Sequence, residues 1–321
     1  MASTKSLWVT PAGFKLGQSG MGKSGQAVGS VKQTVHDGDT VNVLLLKNLG
    51  VRFLGIDTPE ISFQLPGEQA FTYISNAKWD TLFTSGAWKT GLPIGNALMN
   101  YLSAPARIGN GSNVAANHSR LAKDAQVALE KLIQDDLTLS GKTKEQFLYF
   151  MAFANEFLDV YGRLLTYLHS DRVNFAAGTA TSELSYNEKQ LSEGWATPYF
   201  IWPNVQPFIS VKPFSQDNVK PSGFWPLIQS ATKLNNSRQA VKTARAHGKG
   251  IFNHANHIKL MPFELRFIAR KKSPDRFLID LSDTGNNKLL HPEQYFTVNP
   301  EDRLFIPSEY IPIFESFGWQ Q

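Results

Sequence analysis

Hydrophobic and polar residues alternate along two short stretches near the start of the chain. Val41, Val43 and Leu45 occupy every second position, and a second apolar stretch runs from Val51 to Ile56. Alternation of this kind predicts half-buried strands, and the segment Lys47 to Gly50 between them predicts the turn of a hairpin. We expect this hairpin to open a small β-barrel.

Apolar residues recur at helical spacing in two later segments. The pattern predicts an amphipathic helix from His118 to Asp135 and a last helix that stops near Gly248. Between them, residues 186–199 fit a short helix that ends at a glycine cap, Gly194. These helices are expected to pack around the barrel.

The last part of the chain carries short apolar stretches separated by charged and proline-containing turns. Leu265 to Ala269 and Phe277 to Leu281 predict two strands. Leu304 to Ile306 and Tyr310 to Phe314 predict edge strands, because prolines stand beside them. Residues 253–321 are therefore predicted to form a small, mainly β accessory domain.

Composition fits a globular protein with a sizeable core, since 42% of the 321 residues are hydrophobic and 12% are aromatic. Residues 1–30 are rich in Gly and Ser and carry lysines without acids, which predicts a flexible basic lead-in. Residues 31–252 are the predicted main domain, with insertions at about 61–116 and 139–158.

No apolar stretch reaches the length of a membrane span, so no membrane partner is expected. Residues 1–30 also lack a continuous apolar run of signal-peptide length. The compartment stays open: secreted or periplasmic if a signal peptide has been removed, and cytoplasmic otherwise. The absence of cysteine excludes disulfides and thiolate metal sites.

The net charge of +5 is concentrated in one stretch, because Arg238 to Arg276 holds ten Lys and Arg against two acids, Glu264 and Asp275. Such a stretch fits a track for nucleic-acid phosphates, with Lys242 and Arg245 as candidate contacts. It fits a solvated helix face equally well.

The stretch from His36 to Glu60 holds four acids and one arginine, Arg52. If the hairpin forms, Asp39 and Asp57 lie at strand ends on the same side. Carboxylates that come together from two strands repel each other unless a cation or a proton is shared, and an arginine nearby suits a phosphate. The stretch therefore indicates a hard-metal site that faces a phosphate. A turn acid beside a surface ion pair is the simpler alternative.

Two further motifs lack the surroundings that their chemistry needs. Gly17 to Ser24 fits the phosphate-loop pattern G-x-x-x-x-G-K-[ST], but neither a buried strand before it nor a helix after it is predicted. His254 and His257 are close in sequence, but no further ligand accompanies them. Solvated or phosphate-facing histidines are favoured over a zinc site, which needs four ligands.

Three motifs stand in the order that is typical of the staphylococcal nuclease family: Asp37-Gly38-Asp39-Thr40, then Arg52 with Asp57-Thr58-Pro59-Glu60, then Tyr161-Gly162-Arg163. The chain resembles that family over residues 31–60, the helix near 118–135, the strand at 161–168 and residues 186–252. The resemblance implies an α+β fold with an OB-fold five-stranded β-barrel and three helices. It also implies calcium-dependent hydrolysis of DNA and RNA that leaves 3′-phosphate ends.

The resemblance implies roles for single residues as well, and the chemistry of the reaction agrees with them. A phosphodiester is an anion whose transition state gathers more negative charge, so cations must be in place before attack. The implied roles are a Ca²⁺ site on Asp39, Asp57 and the Thr58 carbonyl, phosphate contacts from Arg52 and Arg163, a general base at Glu60, an outer acid at Asp37, and nucleotide contacts from Tyr161 and from Tyr199 or Trp202.

Single-stranded nucleic acid is the expected substrate, because the 61–116 insertion leaves the barrel directly after Glu60. A wall at this rim admits a flexible strand more readily than a duplex, whether its aromatic residues form a private core or stacking platforms. These residues are Phe71, Tyr73, Trp79, Phe83 and Trp88. The alternative function is a non-catalytic OB-fold protein that binds single strands, although retained acids argue against it because they repel phosphates.

Overall fold

The computed structural model describes residues 7–9, 15–23, 28–44, 48–157, 159, 163–170, 183–205 and 214–321. Its strands are β1 (Leu7–Val9), β2 (Lys15–Met21), β3 (Val35–Asp37), β4 (Thr40–Leu44), β5 (Asn48–Phe53), β6 (Gly55–Asp57), β7 (Ser62–Gln64), β8 (Phe71–Tyr73), β9 (Leu148–Phe153), β10 (Leu164–His169), β11 (Thr197–Ile201), β12 (Arg276–Asp280) and β13 (Arg303–Pro307). Its α-helices are α1 (Val31–Thr34), α2 (Ala77–Thr84), α3 (Asn96–Ser103), α4 (Val114–Ser140), α5 (Tyr186–Ser192), α6 (Gln216–Val219), α7 (Pro221–Ser230), α8 (Thr232–Ala246), α9 (Pro262–Arg270) and α10 (Ile311–Ser316).

Five strands close into a mixed β-barrel in the order β2, β9, β10, β5 and β4, and β4 returns to pair with β2. Neighbouring strands of the barrel are antiparallel except β10 and β5, which run parallel. The barrel and the surrounding helices form an α+β fold, as the sequence predicts. The strand arrangement is consistent with an OB-like barrel.

The predicted hairpin is confirmed, since β4 and β5 pair antiparallel with Thr40 opposite Arg52. Val41, Val43 and Val51 are fully buried, so alternate positions of these strands face the core. The tip of the hairpin, residues 45–47, lies outside the described residues. The hairpin brings the segments that carry Asp39 and Asp57 to the same end of the barrel.

Two barrel strands come from segments that the sequence assigns elsewhere. β2 lies in the predicted flexible lead-in and β9 lies in the predicted insertion at 139–158, so both predictions are wrong for these strands. β2 pairs with β9 over six positions, and this pairing overrides its loop-like Gly and Ser content. Gly17 to Met21 of the phosphate-loop pattern are therefore extended in a strand and do not wrap around an anion.

The three predicted helices are present in the described residues. α4 includes the predicted segment and extends beyond both of its ends, and α5 covers the start of residues 186–199. The last predicted helix is divided into α7 and α8 at Ala231. Gly194 and Gly248 follow α5 and α8 with φ of 74° and 62°, the left-handed conformation that ends helices.

The C-terminal region differs from its predicted strands in three places. Leu265 to Ala269 lies in α9, and Tyr310 to Phe314 ends in α10, because a short apolar run does not distinguish a buried helix from a strand. β13 lies between β12 and β11, so it is not an edge strand. Pro307 is its last residue and interrupts no inner pair of the ladder. Residues 253–321 are therefore not mainly β.

Residues of the 61–116 segment and of α9 share one hydrophobic core. Trp79 and Trp88 are buried, and they belong to the same cluster as Leu265 and Phe267 of α9. β12 and β13 connect through β11 to β6, the strand that ends at Asp57. The packing therefore brings the C-terminal region against the acidic end of the barrel. Across the described ranges, no helix has the length and apolar character that crossing a membrane requires.

Candidate active site

The acidic turn between β3 and β4 holds Asp39 close to its neighbours. The Asp37 carboxylate accepts a hydrogen bond from the Asp39 amide at 3.2 Å, which closes the turn. Gly38 has no room for a side chain, because a Cβ atom there would lie 2.8 Å from the Ala125 Cβ atom and 3.1 Å from Thr58. The turn therefore fits directly between α4 and the segment that follows β6.

Arg52 joins the two aspartates at the strand ends. Its Nη1 donates to Asp39 Oδ1 at 2.7 Å, and its Nη2 donates to Asp57 Oδ1 at 2.8 Å. Asp39 Oδ2 accepts a hydrogen bond from the Thr58 amide at 3.0 Å. The structure thus brings together four of the residues that the sequence predicts for the site.

A second arginine, Arg266 of α9, enters the same cluster from the C-terminal region. Its Nη1 and Nη2 donate to the two carboxylate oxygens of Asp57 at 2.8 Å and 2.7 Å. Nη1 also donates to Glu60 Oε1 at 2.8 Å. Bidentate pairs of this kind are among the strongest and best oriented polar contacts in proteins. Nothing in the sequence alone marks Arg266 for this role.

The side chains of the cluster lie at different depths. Those of Asp39 and Asp57 are 1% and 0% exposed, whereas those of Arg52, Glu60 and Arg266 are 15%, 15% and 16% exposed. A molecule that approaches from solvent therefore meets two guanidinium groups and Glu60 first. The buried aspartates pair with the guanidinium groups on the side that faces the protein interior.

His118 of α4 positions the backbone of Glu60. The Glu60 amide donates to His118 Nε2 at 2.8 Å, and His118 Nδ1 contacts the Leu260 carbonyl at 3.1 Å. The imidazole is therefore neutral, with the proton on Nδ1. Burial lowers the pKa of His118 to about 4, which agrees with this tautomer. Spacing along the chain draws attention to His254 and His257, whereas nothing local marks His118.

Burial and neighbouring charges give the acids of the site different pKa values. Burial, followed by the charge of Asp39, raises the pKa of Asp37 well above its usual value. Burial alone would raise the pKa of Asp39, but Arg52 and the hydrogen bonds to Asp39 outweigh it and lower that pKa. Burial raises the pKa of Glu60, although Arg266 and Arg52 oppose the rise. Glu60 is therefore a stronger base than an ordinary carboxylate.

Arg163 makes its described contacts outside the carboxylate cluster. Its Nε donates to Asp159 Oδ2 at 2.7 Å, and its amide donates to Asp159 Oδ1 at 2.9 Å. It lies beside β5, since a Cβ atom on Gly50 would be 3.1 Å from the Arg163 side chain. Tyr161 lies outside the described residues.

Tyr199 of β11 lies beside the cluster, as the sequence predicts for a nucleotide contact. The guanidinium carbons of Arg266 and Arg276 lie 5.8 Å and 5.2 Å from the centre of its ring, and Arg276 donates to its hydroxyl. These distances suit cation–π contacts. Trp202, the alternative to Tyr199, is only 1% exposed and packs in the core, so that alternative is wrong.

Members of the basic stretch Arg238 to Arg276 already have partners within the protein, and the phosphate track stays a prediction. Arg245 pairs with Glu301 at 2.5 Å, and Lys271 donates to the carbonyls of Ala87 and Trp88 at 2.8 Å and 2.9 Å. Lys242 is exposed on α8. Among the contacts described for Lys242 and Arg245, none reaches the carboxylate cluster.

An exposed aromatic surface lies on the β7–β8 hairpin, which begins two residues after Glu60. Phe71 and Tyr73 are 61% and 68% exposed, and they are two residues apart on β8, so they face the same side. Phe71 contacts Phe63 edge to face at 5.8 Å. The guanidinium carbon of Arg270 lies 5.3 Å from the centre of the Phe63 ring. Aromatic and basic groups thus lie together at a hairpin that follows Glu60 closely along the chain.

Oxygen atoms suitable for calcium are present in the cluster, but arginines and an amide already engage them. Both oxygens of Asp57 accept hydrogen bonds from Arg266, and the oxygens of Asp39 accept from Arg52 and Thr58. In the part of the chain that the structure describes, no three acids or histidines are grouped so that they could hold a metal ion. The arrangement does not fit the calcium site that the resemblance implies, and calcium dependence stays a prediction.

Comparison of the chain with protein-family models and with curated proteins finds no match. The resemblance to the staphylococcal nuclease family therefore depends on the three sequence motifs alone.

Proposed function

We propose that the chain hydrolyses phosphodiester bonds of DNA or RNA, with the reaction centre at Arg52, Glu60 and Arg266. This proposal depends on one observation, the different solvent exposure of the side chains in the cluster. Two guanidinium groups and one carboxylate of raised pKa meet the solvent, above two buried aspartates. Guanidinium groups suit phosphoryl oxygens, and a carboxylate of raised pKa suits a general base.

In the proposed reaction Glu60 takes a proton from a water molecule, and the water oxygen forms a bond to phosphorus. The bond between phosphorus and the 5′ oxygen breaks, and that oxygen takes up a proton from solvent. The products carry a 3′-phosphate and a 5′-hydroxyl, as the resemblance implies. Arg52 and Arg266 stabilise the charge that gathers on the phosphoryl oxygens. Arg163, beside β5, is a further candidate for a phosphate contact.

The proposed substrate is single-stranded nucleic acid. Phe71 and Tyr73 stand about two strand positions apart, roughly 7 Å, which is a spacing that lets successive unstacked bases lie on successive rings. Every base has a π-face, so such a surface binds without strong sequence preference. A duplex offers no unstacked bases to these rings.

A second candidate, a non-catalytic protein that binds single strands, is supported by one specific observation. The acids that should repel phosphates are paired with Arg52 and Arg266, so their retention argues less strongly for catalysis than the sequence suggests. Such a protein would use the same aromatic surface on β8. Binding without cleavage distinguishes it from the nuclease.

End-labelled single-stranded and double-stranded DNA and RNA test both candidates, each in chelator, in magnesium and in calcium. The nuclease predicts fragments with 3′-phosphate ends, formed faster from single strands. Glu60→Gln should remove the activity, and Lys272→Ala should keep it, because Lys272 is exposed just after α9 and is no part of the cluster. Equal cleavage by the wild type and Glu60→Gln would contradict the proposal and indicate a contaminant.

A further inference from the structure

The helix that carries Arg266 is fixed on nearly all sides. Seven of the nine residues of α9 are buried, and Glu264 at its start is fully buried. Glu264 accepts hydrogen bonds from the Tyr295 hydroxyl at 2.7 Å and from the Met261 amide at 2.6 Å, and it pairs with Arg107. These contacts anchor α9 beside the cluster.

Arg266 compensates the negative charge of the carboxylates in the cluster, as a bound cation would. It supplies a positive charge to two acids at once, and it engages both oxygens of the fully buried Asp57. Arginine stays protonated in proteins, and Asp57 and Glu60 both contact this guanidinium. The positive charge at this position is therefore permanent.

We propose that Arg266 takes the place of the divalent cation at this site, so that the chain engages a phosphodiester without calcium. Calcium requires six to eight oxygen ligands, and Asp57 has no oxygen outside its pair with Arg266. The proposal rests on the proposed function only for the identity of the ligand. The occupation of Asp57 and Glu60 by Arg266 is a property of the fold and can be tested without any nucleic acid.

Removal of the guanidinium should free the carboxylates for a metal. Arg266→Ala frees Asp57 Oδ2 and Glu60, while Arg52 still pairs with Asp39 and Asp57. The freed oxygens are hard ligands of the kind that calcium prefers. Calcium titration by calorimetry should show no binding to the wild type. Arg266→Ala should bind calcium with an affinity at least about tenfold above the weakest affinity that the wild-type titration could detect. Lys272→Ala loses the same charge just after the same helix, and it should behave as the wild type does.

Two further measurements keep the proposal testable if Arg266→Ala does not fold. The wild type can be titrated alone, and calcium binding with the affinity of an ordinary protein calcium site would overturn the proposal. Arg266→Lys keeps a positive charge in the cluster, and it should also exclude calcium. If Arg266→Ala folds but binds calcium no better than the wild type, the proposal is likewise overturned.

Activity or strand binding gives an independent readout. The wild type should act on a labelled single-stranded oligonucleotide equally well in chelator and in calcium, whereas Arg266→Ala should lose this action and regain it with added calcium or guanidinium ion. Wild-type action that disappears in chelator and returns with calcium would contradict the proposal. If the wild type cleaves nothing under any condition, the proposed hydrolysis fails, while the calcium titration still decides the role of Arg266.

Discussion

The hairpin that carries Arg52 and the helix α9 that carries Arg266 supply one cluster, but their residues reach it by different routes. Arg52 lies 13 residues from Asp39 and 5 residues from Asp57 in the sequence. Arg266 lies 209 residues from Asp57 and 206 from Glu60. The first contacts depend on the register of two paired strands. The second depend on the packing of the whole C-terminal region.

The difference shows how a site with a recognisable local motif can be completed by a distant element. α9 keeps its place because its apolar residues share a core with Trp79 and Trp88 of the 61–116 segment. That segment therefore also supports the packing of α9, in addition to bordering the site. Its deletion would remove part of the support of Arg266, so single substitutions are better tests than truncation.

The largest expected effect is on the free energy of unfolding of Arg266→Ala. The change leaves the fully buried Asp57 with Arg52 as its remaining partner, and loss of one member of a buried pair costs up to about 3–5 kcal/mol. Arg120→Ala is the matched control, because its pair with Asp124 has side chains that are 48% and 39% exposed. Such a pair contributes about 0–1 kcal/mol. Urea unfolding measures both variants, and equal losses would mean that Asp57 does not depend on α9.

The next effect concerns turnover. Glu60→Gln and Arg52→Ala should each lower kcat by about two orders of magnitude or more, with smaller changes in KM, because both groups act mainly in the transition state. Steady-state kinetics on a single-stranded substrate measures this. A large rise in KM with unchanged kcat would assign both residues to substrate binding alone.

The pH profile sharpens the same prediction. Burial raises the pKa of Glu60, so kcat/KM should rise with pH through a pKa above the usual glutamate value of about 4.3. Arg266 lowers the pKa of Glu60, so any residual activity of Arg266→Ala should show this rise at higher pH. If kcat/KM of Arg266→Ala rises at lower pH than kcat/KM of the wild type, the assignment of Glu60 as the base is contradicted.

Most of the hairpin side of the site could be predicted from sequence. Alternating apolar positions give β4 and β5, and the strand ends then bring Asp39 and Asp57 toward Arg52. The α9 side could not be predicted. An apolar run with charges between reads as strand or helix alike, and nothing local indicates which of ten basic residues in Arg238 to Arg276 turns inward.

The barrel shows the same limit in a different form. β2 is rich in Gly and Ser, and its strand conformation depends on pairing with β9 and β4. Both partners are distant in sequence, so composition alone predicts a loop there. His118 is similar: its helix is predicted, but its contacts with Glu60 and Leu260 depend on how α4 lies between the hairpin and the C-terminal region.

A smaller effect is expected for the pH dependence of stability. The pKa of His118 is about 4 in the folded chain and about 6.5 when unfolded, so the unfolded state binds the proton first as pH falls. The contribution of neutral His118 to the free energy of unfolding is complete above the pKa of the unfolded state and is lost as pH falls toward the pKa of the folded state. The loss is about 2 kcal/mol between about pH 7 and pH 5. Urea unfolding at both values tests this, with His118→Asn as the comparison. The variant should lose less stability on acidification, although its stability at neutral pH should also be lower.

The smallest expected effect concerns the exposed rings of β8. Phe71→Ala and Tyr73→Ala should each weaken binding of a single-stranded oligonucleotide by about 1 kcal/mol, the lower end of the range for loss of one base–aromatic stack. Both rings are mostly exposed and add little to the core, so the free energy of unfolding should stay within about 0.5 kcal/mol of the wild type.

Leu139→Ala is the matched control, since Leu139 is 68% exposed and stands at the C-terminal end of α4. Fluorescence anisotropy with labelled single-stranded and duplex DNA measures the effect, and duplex affinity should change less than single-strand affinity. Because Phe71 and Tyr73 follow Glu60 closely along the chain, their loss should also reduce the preference for cleavage of single strands. Equal weakening for both substrates would show that the rings contact the backbone or only shape the surface, and stacking would then not explain the preference.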